Sequence, residues 1–350
     1  MKMATERSAM NAAPSPLDSM VARAESLYTL PAVAMEVIQL TDAPEVDTRA
    51  LKECIERDPA LAAKLLRVVN SSLFGLSGHV ENLTQAIALL GTGPLKLLVL
   101  GFSLPDGLLE EIDSLQLRAY WRGALTRAVA ARQLVETQWE IPGDEAFLVA
   151  LLQDIGLLVL LQQLGNPYAR FLTQVRSEQQ NLVELERESL GFDHRALTAS
   201  LLSNWKLPRL YTESLGRRPT KCNRTDSPDL QQVVPQVLHL ANLLVELVDE
   251  HRLSVLPDLL ELGEQYCGLD KESLNALVAE LEPQVEQLAG VLQVDLGERE
   301  SYVEMLAEAH GQLAIVAEEA AVQLLANEST LCDEILEESQ ALSRALQSFT

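Results

Sequence analysis

The sequence predicts an all-α protein, and three observations carry that prediction. Apolar residues recur at three- and four-residue steps along the chain, the period of one helix face. Capping residues stand where several of these runs begin, and glycines where they end. No β-branched alternating run bounded by hairpin turns appears anywhere, so strands have no pattern on which to form.

In chain order, the opening "MKMATERSAMNAAPSPLDS" lacks the apolar core of a signal peptide and is expected to be a flexible tail. Leu61, Leu65, Val68 and Val69 follow helical spacing, and Asp58-Pro59 just before them supplies an N-cap with proline in the first turn. Thr84–Leu90 predicts a short helix stopped by "GTGP". The next run, "LKLLVLGFSLP", is apolar enough for a buried helix or a strand, and its helical surroundings favour helix. Asn181 with Glu184 resembles a capping box, and Gly191 ends that helix. Turn-rich breaks fall at Pro105-Asp106-Gly107, Ile141-Pro142-Gly143 and Gly216–Asp229. Near Gly297 the composition changes: acids accumulate, and Tyr302, Leu306, Ala309, Leu313, Val316 and Ala320 form a heptad-like seam on one long helix.

Composition removes several function classes. A chain of 350 residues can bury a large core and divides into domains or subdomains. The longest apolar stretch, Ala146–Leu164, is interrupted by Gln153, Asp154, Gln162 and Gln163, so no window approaches the ~20 uninterrupted apolar residues of a membrane helix. Net charge is −24, from 51 acids against 27 bases, and such a surface repels phosphate backbones and anionic lipid. Nucleic acid and membrane are therefore not expected as partners. Cys54, Cys222, Cys267 and Cys332 form no C-x-x-C pair, which argues against thiolate zinc sites and a disulfide framework and fits a cytoplasmic protein.

Six segments together resemble one family. "LPAVAMEVIQL" (Leu30–Leu40), "ERDPALAAKLLRVVNSSLFGL" (Glu56–Leu76) and "VENLTQAIALLGTGPLKLLVLGFSL" (Val80–Leu104) are similar to the first half of an HDOD domain, the HD-related output domain of bacterial signalling proteins. "YWRGALTRAVAARQL" (Tyr120–Leu134), "AFLVALLQDIGLLVL" (Ala146–Leu160) and "ESLGFDHRALTASLLSNWKLP" (Glu188–Pro208) are similar to its second half. The resemblance implies a two-lobed helical fold whose second lobe is related to metal-dependent HD phosphohydrolases. The organisation expected from it is a tail over 1–16, an N-terminal helical lobe over 17–108, an HD-like lobe over 109–297 and a long helix over 298–350.

HD hydrolases hold divalent metal with a His, a His-Asp pair and a later Asp, because one ligand alone neither holds the ion nor acidifies a water. By resemblance the first His falls near Gly123, the pair on Gln153-Asp154 and the last Asp on Asn242. Glycine offers no ligand, the two amides are neutral and weak, and Asp154 stands alone. The metal site is expected to be lost, with no cofactor. Asp154 is then expected to be a buried carboxylate held by backbone N–H groups or a nearby His or Arg. His194 in "GFDHRA" has the chemistry of a base, but packing or capping before the next helix is the simpler role. His79, His239, His251 and His310 are scattered, and Trp121, Trp139 and Trp205 are expected in the core.

A second candidate site is electrostatic. Lys206, Arg209, Arg217, Arg218, Lys221 and Arg224 crowd together in a strongly acidic chain. By resemblance Arg217-Arg218-Pro219 lies beside the vestigial pocket, where guanidinium groups could bind phosphate or a partner carboxylate; a solvated loop is the plain alternative. The expected function is a non-catalytic signalling module that senses a ligand or binds a protein. Its partners would be cyclase- or receiver-type signalling proteins, a nucleotide-like anion at His194, Arg217, Arg218 and Lys221, and a second copy through the C-terminal helix. Two competing functions remain: a nucleotide or cyclic-dinucleotide phosphohydrolase rebuilt around Asp154 and His194, and a purely structural helical adaptor.

Overall fold

Where capping residues were expected, they cap. The Asp58 carboxylate accepts the Leu61 N–H at 3.0 Å, Asn181 accepts Glu184 N–H at 3.2 Å, and Gly191 closes its helix at φ 82°, where a side chain would be strained. These local choices lie in a computed structural model that describes residues 15–319, apart from 28–30, 42, 44, 72–78, 103–111, 206, 208, 217–229 and 299. Among the described residues there is no strand, and the fold is all-α.

The first lobe is built from α2 (Ala32–Thr41), α3 (Thr48–Glu56), α4 (Pro59–Val69), α5 (Leu83–Leu90) and α6 (Thr92–Phe102). Gly91, at φ 81°, ends α5, and Thr92 at once begins α6. "GTGP" thus separates two helices without a longer loop. Pro94 fits the first turn of α6, where its missing N–H has no intrahelical acceptor to lose. The run after it is helical to Phe102, as its surroundings favoured.

The second lobe centres on α7 (Ser114–Leu134), which packs against α8 (Asp144–Leu152), α14 (Leu230–Val248) and α16 (Lys271–Leu292). Buried residues surround α7 through most of its length, and it ends in a π-helical turn, Val135–Trp139, that the sequence pattern did not signal. Next come α9 (Ile155–Leu164), α10 (Asn166–Ser177), α11 (Leu182–Leu190), α12 (His194–Asn204), α13 (Arg209–Gly216) and α15 (Leu256–Cys267). The preceding α1 (Pro16–Leu27) packs on α12, and α6 packs on α8. One contiguous apolar core runs through both halves. Trp121 is buried, and Trp139 and Trp205 pack half-buried against that core.

The apolar stretch around Ala146–Leu164 folds as two helices broken at Gln153-Asp154. The span Asp144–Leu164 is long and apolar enough to cross a membrane, but 78% of its apolar window is buried inside the protein. It is spent on the core.

The C-terminal seam divides. In the last helix, α17 (302–319), Tyr302, Leu306 and Ala309 are buried against the body, while Val316 is 60% exposed. Ala320 lies outside the described residues. The first half of the seam therefore has its partner in cis, on α16 and its surroundings; Leu313 still packs half-buried against the core, and Val316 is exposed.

Candidate functional site

The chain reverses at Gln153-Asp154, and the reversal is fixed by a close approach two residues later. A Cβ at Gly156 would stand 2.2 Å from the His194 carbonyl oxygen and 2.9 Å from Thr198 Oγ1. Only glycine lets α9 sit this close to α12. The Gly156 N–H donates to Thr198 Oγ1 at 2.9 Å, and that hydroxyl donates to His194 O at 2.9 Å. The contact presses the first turn of α12 against the reversal and brings His194 beside Asp154.

Asp154 is held by side chains. Arg127 Nη2 lies 2.7 Å from Asp154 Oδ2, and His194 Nε2 lies 3.4 Å from Asp154 Oδ1. Arg127 Nε donates to Asn242 Oδ1 at 2.7 Å, and Gln153 Nε2 donates to the same oxygen at 2.9 Å. Three of the four positions named from the resemblance, Gln153, Asp154 and Asn242, are thus brought together beside one guanidinium. The fourth, Gly123, lies one turn before Arg127 on α7; a Cβ there would meet Val245 at 3.6 Å and Arg127 Nη2 at 4.0 Å. The bare position leaves the space beside it to arginine.

Of the packing and capping roles expected for His194, the structure shows packing. Asp193 is the cap: its Oδ1 accepts Ala196 N–H at 2.8 Å, and its Oδ2 pairs with Arg187 at 2.6 Å. His194 is instead buried, with Nδ1 2.6 Å from Glu186 Oε2 and its backbone N–H on the same oxygen at 2.8 Å. Tyr168 donates its hydroxyl to the other Glu186 oxygen. A line of contacts therefore runs Tyr168–Glu186–His194–Asp154–Arg127–Asn242. Both ring nitrogens of His194 face carboxylates, and the residue is 3% exposed, inside the second lobe.

The electrostatics follow from this alternation of charge. Burial pulls the His194 imidazolium down, but the Glu186 charge and the hydrogen bonds with Asp154 and Glu186 lift it to about 9. Burial pushes the Asp154 carboxyl up, and Arg127 together with His194 overrides it and holds the group well below the carboxylate range. Tyr168 and Tyr120 are pushed far up, first by burial and then by nearby carboxylates. Acidic and basic side chains thus alternate along the line from Glu186 through His194 and Asp154 to Arg127.

The donors do not suit a divalent ion. The single carboxylate among these four positions is paired with a guanidinium, the amide oxygen of Asn242 already takes two donors, and both His194 nitrogens face carboxylates. Among the described residues, no three His, Cys, Asp or Glu side chains converge as a metal would require. Arg127, Glu186, Tyr168 and Gly156 were not singled out by sequence reasoning. No local signal singles out Arg127, because α7 also carries Arg118, Arg122 and Arg132. Arg217, Arg218 and Lys221 lie outside the described residues, as does most of the basic stretch, and Arg209 is exposed at the start of α13.

Comparison with known proteins agrees with the architecture. The family model for the HDOD domain matches residues 27–218. An HDOD domain protein of unknown function from Geobacter sulfurreducens superposes with a TM-score of 0.57 at 18% identity, over 80% of this chain and 98% of that one. A candidate phosphohydrolase from Shewanella amazonensis SB2B superposes with a TM-score of 0.55 at 20% identity, over 78% and 98%. An uncharacterized protein from Treponema pallidum (strain Nichols) is 21% identical over 239 residues, 66% of this chain. The match spans 44% of that protein's length.

Proposed function

This chain belongs to the HDOD domain family, and from that premise we propose that it is a non-catalytic signal-transduction module in which an internal ion network stands where HD hydrolases bind metal. One observation carries the proposal: the Arg127 guanidinium lies 2.7 Å from both Asp154 and Asn242, occupying with a protein-borne cation the position between the vestigial ligands. A buried guanidinium so paired leaves the carboxylate no charge to offer a metal and no room to activate water. The module acts by changing its contacts with signalling proteins of receiver or cyclase type. The exposed end of α17, with Ile315 58% and Val316 60% exposed, is the surface for such a contact or for a second copy. The absence of any C-x-x-C pair and the inward use of the Asp144–Leu164 span support a place in the cytoplasm.

The competing function is the phosphohydrolase named for the Shewanella relative. At 20% identity that likeness speaks for the fold. It would require Arg127 to swing out and His194 to release a carboxylate. The discriminating experiment is elemental analysis of the purified chain, with assays against nucleotides and cyclic dinucleotides in added manganese. No stoichiometric metal and no turnover are expected. One metal per chain, lost on Asp154→Asn together with a hydrolytic activity, would overturn the proposal.

A further inference from the structure

The root of α17 is held by a row of side chains on α7. Arg118, Arg122 and Thr126 stand four residues apart and so share one face of that helix. Arg118 Nη2 pairs with Asp295 at 2.6 Å, Arg122 donates to the Leu296 carbonyl, and Thr126 Oγ1 lies 2.5 Å from the Tyr302 hydroxyl. The connection from α16 to α17 is thus laid along α7, and its last tie, between Thr126 and Tyr302, is fully buried. The Tyr302 hydroxyl also donates to Asp249 Oδ1 at 2.7 Å, just beyond the end of α14. A phenol carries one proton, so with that proton on the carboxylate the hydroxyl accepts from Thr126.

α7 and the α14 end of the lobe are therefore tied twice, at neighbouring residues of α7. Thr126 reaches Asp249 through Tyr302, and Arg127 reaches Asn242 of α14 directly at 2.7 Å. Adjacent helical residues point about 100° apart, so the two ties leave α7 on adjoining faces. Both depend on how α7 is turned and set against α14. A shift of α7 that follows loss of the Arg127 contacts draws Thr126 from Tyr302, and undocking of Tyr302 frees the spacing that Arg127 bridges. Close-packed interiors take up such shifts as changes between discrete arrangements. We propose that α17 is a strap whose docking at Tyr302 forms one cooperative unit with the ion network around Arg127: a change at the network releases α17, and release of α17 loosens the network. The inference deepens the signalling function above and rests on it for its consequence, whereas the coupling itself does not depend on it.

The test uses the full chain, with amide hydrogen exchange over residues 305–313 read by mass spectrometry against α10 as the internal reference. Tyr302→Phe should speed exchange there about tenfold, and the charge-balanced pair Arg127→Met with Asp154→Leu about fivefold. The triple variant should stay within about threefold of the faster of these, because one unit opens once. Coupling is reciprocal, so the Arg127 Nε–H, assigned by NMR from its loss in Arg127→Met, should exchange about fivefold faster in Tyr302→Phe. Leu98→Ala, buried on α6 and part of neither tie, controls for general loss of stability and should leave 305–313 unchanged relative to α10. Asn242→Leu removes only the α14 end of the Arg127 tie and takes the place of the double variant should that not fold. Parent-like exchange over 305–313 in the network variants, equal acceleration by Leu98→Ala, or an Arg127 Nε–H indifferent to Tyr302→Phe would overturn the coupling. No arm reads metal content, hydrolysis or a partner, so failure here is separable from failure of the non-catalytic function.

Discussion

Replacing Arg127 with methionine keeps most of the side-chain volume and removes the cation. The Asp154 side chain is 13% exposed and the Arg127 side chain 7%, so little water is at hand to take over. Breaking a buried pair by removing one partner costs about 3–5 kcal/mol, because an uncompensated charge is left behind. Asn242 also loses the donor on its oxygen at 2.7 Å. In a chain of 350 residues each kcal/mol shifts Tm by roughly 1.4 °C, so a fall of about 4–7 °C is expected. Adding Asp154→Leu should recover at least about 2 kcal/mol, since the stranded charge is gone and His194 still pairs with Glu186. Urea denaturation followed by far-UV circular dichroism measures both steps. A single variant within about 1 kcal/mol of the parent, or a double variant no more stable than the single, would refute the view that Arg127 neutralises Asp154.

Three further outcomes are expected. His194 is raised to about 9 from an ordinary 6.5, so its contribution to stability is complete below pH 6.5 and is lost as pH rises through 9; urea midpoints between pH 6 and 10 should fall, and His194→Gln should flatten that slope. Gly156→Ala would set a methyl 2.2 Å from the His194 carbonyl, force α9 off α12 and cost about 1–3 kcal/mol in the same assay. Tyr302→Phe keeps the ring in the core and deletes the hydroxyl that contacts Thr126 at 2.5 Å and Asp249 at 2.7 Å; a loss of about 1–3 kcal/mol is expected, read by thermal denaturation.

The helices were legible because capping and periodicity are local. Asp58, Asn181 and Gly191 each state a helix boundary within three residues of themselves, and the family pattern ordered the elements. Gln153, Asp154 and Asn242 were named together from the resemblance, and the three meet in space. What fills the space between them was not legible. Arg127 reaches Asn242 across 115 positions and Asp154 across another helix, and no local pattern distinguishes an arginine pointing inward from one pointing outward. Glu186 looked like any acid on an amphipathic helix, yet it is fully buried because Tyr168 and His194 converge on it. Gly156 carried a signal in retrospect: a glycine inside an apolar run marks a place where another backbone approaches closely. The C-terminal seam predicts buried positions at Tyr302, Leu306 and Ala309 but not the exposure of Val316, since an apolar stripe does not state whose surface covers it.

Tyr302 makes α17 a lever with its pivot inside the second lobe. Its ring is fully buried, its hydroxyl touches Thr126 on α7 and Asp249 just beyond α14, and its N–H is held by Glu282 of α16 at 3.0 Å. Thr126 is the chain neighbour of Arg127, and α14 carries Asn242, so the pivot is mounted on the same two helices that the guanidinium ties together. At 1.5 Å per residue the rod from Tyr302 to its last described turn is about 27 Å long. A tilt of about 5° at the pivot, comparable to small helix shifts in switching proteins, sweeps the far end by about 2 Å. Ile315 and Val316 ride near that end, so a rearrangement too small to notice at Arg127 becomes a displacement the size of a methyl group where another molecule can meet it.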